Sequence, residues 1–213
     1  MRGAVLIFGT MTALLAAPLH LTPAVASTAA PPGQVSIEVV NVNGSGCPAG
    51  TTAVAVAPDN TAFTVTYSQY TAQSGRDSSP IDFRKNCQIA LNVHVPQGYT
   101  YAIARADYRG FAHLERSATA LQRANYYFAG MSENAAVNHR FNGPMNDNWQ
   151  NSDNAAAETL VYAPCEVNRL LNINTELRVK SSSADASVTS FISMDSTDGS
   201  INTLYHFAWK RCP

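Results

Sequence analysis

Residues 191–213 read FISMDSTDGSINTLYHFAWKRCP, and this stretch sets the class of the whole chain. It reads as a hairpin of two strands joined by the polar loop Asp195-Ser196-Thr197-Asp198-Gly199-Ser200. Side chains alternate along a strand, so Ile201, Thr203, Tyr205, Phe207 and Trp209 share one face. Tyr205, Phe207 and Trp209 make it the most heavily apolar strand of the chain. Cys212 follows one residue before the end, where a disulfide would pin the tail.

The same period-two pattern recurs upstream. Cys87, Ile89, Leu91, Val93 and Val95 alternate with Gln88, Ala90, Asn92 and His94. Leu171, Ile173, Thr175, Leu177 and Val179 alternate with Asn172, Asn174, Glu176 and Arg178. Thr52–Ala57 and Ala62–Tyr67 predict a hairpin around Pro58-Asp59-Asn60-Thr61, with Phe63, Val65 and Tyr67 inward. Strands are also predicted over Thr100–Tyr108, Gln122–Phe128 and Leu160–Tyr162. Val35–Val42 is a strand whose apolar phase slips at Val39-Val40, so it is either bulged or buried on both faces. Ser68–Asn86 reads as a long polar connection and Met131–Asn138 as a loop. Asp147–Ala157 holds an Asp-Asn-Trp stretch and a polar run, and Gly110–Arg123 is ambiguous between loop, short strand and helical turn. Roughly nine or ten short strands, with turns rich in Gly, Pro and Asn, give an all-β, antiparallel β-sandwich, jelly-roll-like in kind. One domain over residues 34–213 is expected, after a short linker over 27–33.

The beginning of the chain is not part of that fold. Arg2, the apolar run Ala4–Ala17 and the small-residue site Ala24-Val25-Ala26 form the pattern of a secretory signal peptide over residues 1–26. Four cysteines after an export signal read as two disulfides. Three connectivities are open, and pairing of neighbours is the expectation: Cys47 with Cys87, Cys165 with Cys212. The wide spacing without a paired Cys-x-x-Cys motif argues against zinc. Only 14% of residues are charged and the formal net charge is −1, with no run of either sign. A phosphate backbone attracts concentrated positive charge, so a nucleic-acid partner is not expected. A membrane partner after signal cleavage is not expected either, and the chain reads as a monomer with an extracellular ligand.

Seven stretches taken together carry a family resemblance: VVNVNGSGCPAG (39–50), VAVAPDNTAFTVTY (54–67), DFRKNC (82–87), VPQGYTYAI (95–103), ADYRGF (106–111), LNINTELR (171–178) and MDSTDGSINTLYHFAWKRCP (194–213). They closely resemble the secreted actinobacterial and fungal family catalogued as domain of unknown function 4360. The resemblance covers nearly all of the mature chain. It implies a small secreted domain and brings neither a reaction nor catalytic residues.

Asp107-Tyr108-Arg109-Gly110-Phe111 and Asn148-Trp149-Gln150 combine rings, a carboxylate, a guanidinium and amides, which is what a sugar-binding β-sandwich uses. Asp107, Tyr108, Arg109, Tyr127 and Trp149 are therefore the candidate ligand-binding residues, with Tyr126 as a further ring. The competing assignment for Tyr126 and Trp149 is the core. Asp195 and Asp198 offer carboxylates for calcium, though an Asp/Gly turn explains the same residues and no cofactor is required. Asp107, Glu176 and Asp195 are the acids from which a hydrolytic carboxylate pair would be drawn. No nucleophile-elbow motif is present, and no catalytic residue is assigned. The leading expectation is a non-enzymatic extracellular module that binds a glycan or a protein. A carboxylate-pair hydrolase and a protease inhibitor presenting Ser68–Asn86 are the alternatives.

Overall fold

The computed structural model describes residues 29–181, 188–194 and 202–213. The signal-peptide assignment and the metal candidates Asp195 and Asp198 lie outside the described residues. Twelve strands are found among those described. They are β1 (Ser36–Asn43), β2 (Thr52–Val56), β3 (Ala62–Tyr67), β4 (Thr71–Gly75), β5 (Arg84–His94), β6 (Tyr99–Leu114), β7 (Thr119–Phe128), β8 (Ala135–Asn142), β9 (Met145–Asn154), β10 (Leu171–Lys180), β11 (Thr189–Ser193) and β12 (Asn202–Arg211). The one helical turn among the described residues is a 3-10 turn at Ala157–Thr159.

Two antiparallel sheets stack face to face. The first has five strands in the order β1-β5-β10-β7-β8. The second has seven, with hydrogen-bonded neighbours β2-β3-β12-β6-β11-β4 and β9 paired to β6. The sandwich expected from period-two burial is what forms, because each sheet has one apolar face to remove from water. Phe63, Val65 and Tyr67 are buried from one side and Ile89, Leu91, Leu171, Ile173 and Leu177 from the other. Burial of each such aliphatic side chain stabilises the fold by about 1.5–3 kcal/mol. Phe63 stacks on Tyr205 at 4.9 Å, and Tyr101 meets Phe128 edge-on at 5.4 Å across the two layers.

The closing stretch corrects the hairpin expectation. β11 pairs Phe191–Ser193 with Phe111–His113, and β12 pairs Leu204–Arg211 with Tyr99–Asp107. Both are antiparallel to β6, so they run in the same direction. Strand β9 pairs with β6 from Arg105 to Leu114 and occupies the other edge of it. The two strands therefore lie in line along one edge of β6. A polar Asp/Gly segment signals an interruption in a strand, and local sequence does not say whether the chain turns back afterwards.

Other boundaries move for related reasons. Ser68–Asn86 is not one long connection: it contains β4 and the start of β5, because Tyr70 and Ala72 are buried and β4 finds its partner in the distant β11. Gly110–Arg123 resolves as the end of β6 and the start of β7, with no helical turn. The Met131–Asn138 loop shortens, since β8 begins at Ala135. The polar run after Met145 is β9, a strand made of amides and hydroxyls whose ladder partner is β6. Leu160–Tyr162 is not a strand. That segment is extended and held by Ala163 N–H donating to the Tyr101 carbonyl at 2.9 Å and Thr100 Oγ1 donating to the Ala163 carbonyl at 2.6 Å. In β1 the register slips between Val39 and Asn41, a bulge, and Val39 and Val40 are exposed rather than buried on both faces.

Both disulfides pair neighbours as expected. Cys47–Cys87 spans 40 residues and ties the turn after β1 to β5 inside the core. Cys165–Cys212 spans 47 residues and ties the C-terminus to the segment before β10. Closing loops of these lengths stabilises by about 3–4 kcal/mol each in the chain-entropy account. No free cysteine is present among the described residues.

Candidate functional site

Strands β6 and β9 run side by side over ten register pairs. From Asp107 onward, odd-numbered residues of β6 point out of the sandwich and even-numbered ones point in. Asp107, Arg109, Phe111 and His113 thus share the outer face. Register sets Ser152, Gln150, Asn148 and Asn146 of β9 directly opposite them. The six steps of extended strand from Asp107 to His113 cover about 20 Å.

One end of this strip is ionic. Asp107 Oδ1 accepts from Arg105 Nε at 2.9 Å and from the Ser152 hydroxyl. Its Oδ2 accepts from His206 Nε2 at 2.9 Å. Burial works against the ionised carboxyl, but the bonds from Arg105, Ser152 and His206 and the Arg105 charge outweigh it. The pKa of Asp107 falls to about 2. This carboxylate is a fixed anion with its oxygens already engaged, and it has no proton to give near neutral pH. It also stands between Ser152 and His206. Nucleophilic catalysis by a serine needs the histidine in the middle, so this trio is not a catalytic triad.

The other end is aromatic. Phe191 of β11 lies against His113 at 5.8 Å with an interplanar angle of 28°, and against Phe111 at 5.9 Å. His113 Nδ1 donates to Asn146 Oδ1 at 2.9 Å, which fixes the imidazole plane. All three rings are half-buried, each with part of its surface facing solvent. Between the two ends lie the exposed Arg109, Asn148 and Gln150.

The five nominated binding residues separate. Asp107 and Arg109 sit on the strip. Tyr108 and Trp149 do not: they are 0% and 5% exposed and belong to the core. Trp149 packs on Phe141 at 5.1 Å and over Gly110. A β-carbon at Gly110 would overlap the Trp149 ring and the Ser193 carbonyl oxygen, so only glycine fits there. Tyr127 is on the outer face of the other sheet, where Asn174 Nδ2 donates to its hydroxyl at 3.5 Å. Tyr126 is buried. Asp107 and Glu176 face outward from opposite sheets, which lie about 10 Å apart, so their carboxylates do not converge on one bond.

Directly beneath the strip lies a second carboxylate. Asp153 of β9 points inward, and its Oδ1 accepts from His139 Nε2 of β8 at 2.6 Å, joining the two sheets at their open edge. Burial raises the Asp153 pKa, and the bond and charge of His139 only partly offset this. Burial also drives the Tyr126 hydroxyl far above its ordinary value, helped by the nearby Asp153 charge. Among the described residues no group of three His, Cys, Asp or Glu side chains is placed to hold a metal ion. A cavity of about 420 Å³ opens at one end of the sandwich beside Cys212, between Pro96, Tyr99 and Arg169, and none of the nominated residues lines it.

A family model described as a domain of unknown function (DUF4360) matches residues 33–212. The chain belongs to this family. The matched DUF4360 stretch begins before β1 and ends at Cys212, so it takes in every described strand and both disulfides. A relative from Arthroderma benhamiae is 33% identical over 181 residues, covering 85% of this chain and 73% of its own length. That relative is called an uncharacterized secreted protein.

β6 and β9 are legible in the sequence as the candidate segments, with their two faces mixed. Phe191, His113, Asn146, Ser152, Arg105 and His206 are added only by the structure. For His113 a signal existed: the alternation that puts Asp107, Arg109 and Phe111 outward continues to it. For Phe191 and His206 there was none, since their places depend on how β11 and β12 line up along β6.

Proposed function

We propose that this DUF4360 domain is an exported, non-enzymatic module that binds a neutral glycan along the outer face of β6 and β9. One observation carries the reading. Phe111, His113 and Phe191 form a half-exposed ring cluster that continues into a row of amides and a pre-ionised Asp107. Sugar rings present apolar faces and hydroxyl edges. Aromatic rings match the first, while amides, which both donate and accept, match the second. Export is supported by the leader pattern at residues 1–26, by two disulfides and by the secreted relative. The hydrolase alternative has less support, because Asp107 is locked as an anion and Glu176 faces the opposite way. The inhibitor alternative has less support too, since Ser68–Asn86 contains β4 and the start of β5. Screening the secreted chain on a glycan array, followed by calorimetry on the best hit, tests the proposal. Phe191→Ala and Asn148→Ala are expected to weaken that binding about tenfold each while leaving the melting temperature near that of the unaltered chain. An array blank at micromolar protein, or binding indifferent to both changes, refutes it.

A further inference from the structure

The opposite flat side of the molecule, the outer face of the five-stranded sheet, carries a different pattern. Register sets its side chains in rows across β5, β10, β7 and β8. One row holds Arg84, Arg178 and Arg140. In the next, Glu176 stands beside Arg123. The third is an amide row of Gln88, Asn174 and Asn125.

Four arginines thus share this face with one carboxylate. Glu176 is buried and saturated: Arg84 Nε donates to its Oε2 at 2.5 Å and Arg178 Nη2 to its Oε1 at 2.6 Å. Each of those arginines stays about half exposed, at 50% and 46%, with donors left over. Arg123 and Arg140 are exposed and form no ion pair among the described residues. This cationic face sits on a chain whose net charge is −1, so the charge is gathered locally. A shallow groove of about 200 Å³ runs over it, lined by Arg84, Arg123, the paired Glu176, Gln88, Asn125 and Asn174. The Asn125 Oδ1 atom there is buried and unpartnered.

We propose that this face binds an acidic polysaccharide, with uronate carboxylates on Arg84 and Arg123 in the groove and on Arg140 of β8 beside it, and sugar hydroxyls on the neighbouring amides. The guanidinium fork matches a carboxylate in two parallel bonds. Amides at the next row along the strands both donate and accept, as hydroxyls do. A polyacidic peptide has no side-chain hydroxyls to offer that amide row. A single-stranded nucleic acid would call for several stacking rings, and these rows lead to one, Tyr127; a duplex would call for a longer run of cations than these four arginines. The site is separate from the β6–β9 strip and does not depend on it.

Affinity electrophoresis of the secreted chain tests this in gels holding polygalacturonate, its fully methyl-esterified form, or double-stranded DNA. Polygalacturonate is expected to retard the protein and the ester is not. Arg123→Gln and Arg140→Gln, both at exposed positions, should each raise the dissociation constant about tenfold, and together about a hundredfold. Circular dichroism confirms that the variants keep their strand content. Absence of retardation by polygalacturonate, equal retardation of the unaltered and doubly substituted chains, or stronger retardation by DNA overturns the proposal. Binding of neutral glycans is scored on separate gels, so the two sites succeed or fail independently.

Discussion

Asp107 and Asp153 lie on neighbouring strands, one register step apart, and live in opposite electrostatic worlds. Asp107 faces out and is surrounded by Arg105, Ser152 and His206, which pull its pKa to about 2. Asp153 pairs in register with Ala106, faces in, and is pushed upward by burial despite His139. The same division holds along the whole β6–β9 ladder. Trp149 and Tyr108 fill the core, while Gln150 and Arg109, each the next residue along, meet solvent. Facing direction, more than residue type, decides what each of these side chains does.

This contrast can be broken most forcefully from the inside. Trp149→Ala should cost about 3–5 kcal/mol in urea unfolding, since it removes a buried ring and leaves a cavity. A variant as stable as the parent chain would refute the inward placement. Gly110→Ala should cost about 1–3 kcal/mol, because its new methyl must displace the Trp149 ring or the β11 backbone. The two carboxylates sharpen the comparison through pH. The folded pKa of Asp107 is depressed, so its contribution is complete above the unfolded value near 4 and is lost as pH falls towards about 2. Asp107→Asn should therefore cost about 1–2 kcal/mol at pH 7, screening included, and the deficit should close between about pH 4 and pH 2. Asp153 has a raised folded pKa, so its ionised form costs stability, and acidification through that pKa should favour the fold. Stability of the parent chain relative to Asp153→Asn should then change with pH in the opposite sense to the Asp107 pair. Unfolding midpoints collected across that range would show parallel slopes if the assignment were wrong. Gln150→Ala sits at the small end: stability within about 0.5 kcal/mol of the parent, with glycan binding reduced.

Much of the sandwich could be read from period-two patterns. Cys87–Val95, Ala62–Tyr67 and Leu171–Val179 stand in the fold with the faces their alternation predicts, because burying one face of a strand leaves a direct mark on the residues. β9 left no such mark. Its residues are mostly amides and hydroxyls, and it is a strand because β6 supplies its hydrogen bonds. β4 was hidden for the same reason, its partner β11 lying more than a hundred residues away. The candidate site followed suit: Asp107 and Arg109 were legible, while Tyr108 and Trp149 were chosen for their chemistry without regard to the side they face.

The residues alone dictated the all-β class, the leader pattern, the number of cysteines and the burial of the aromatic final strand, since each is a local or compositional property. Pairing between distant strands decided the rest. It laid β11 and β12 end to end along β6, brought Phe191 to His113 and His206 to Asp107, and gathered arginines from four strands onto one face. Backbone hydrogen bonds are indifferent to side-chain identity, so which strand lies beside which is settled by the packing of the whole core.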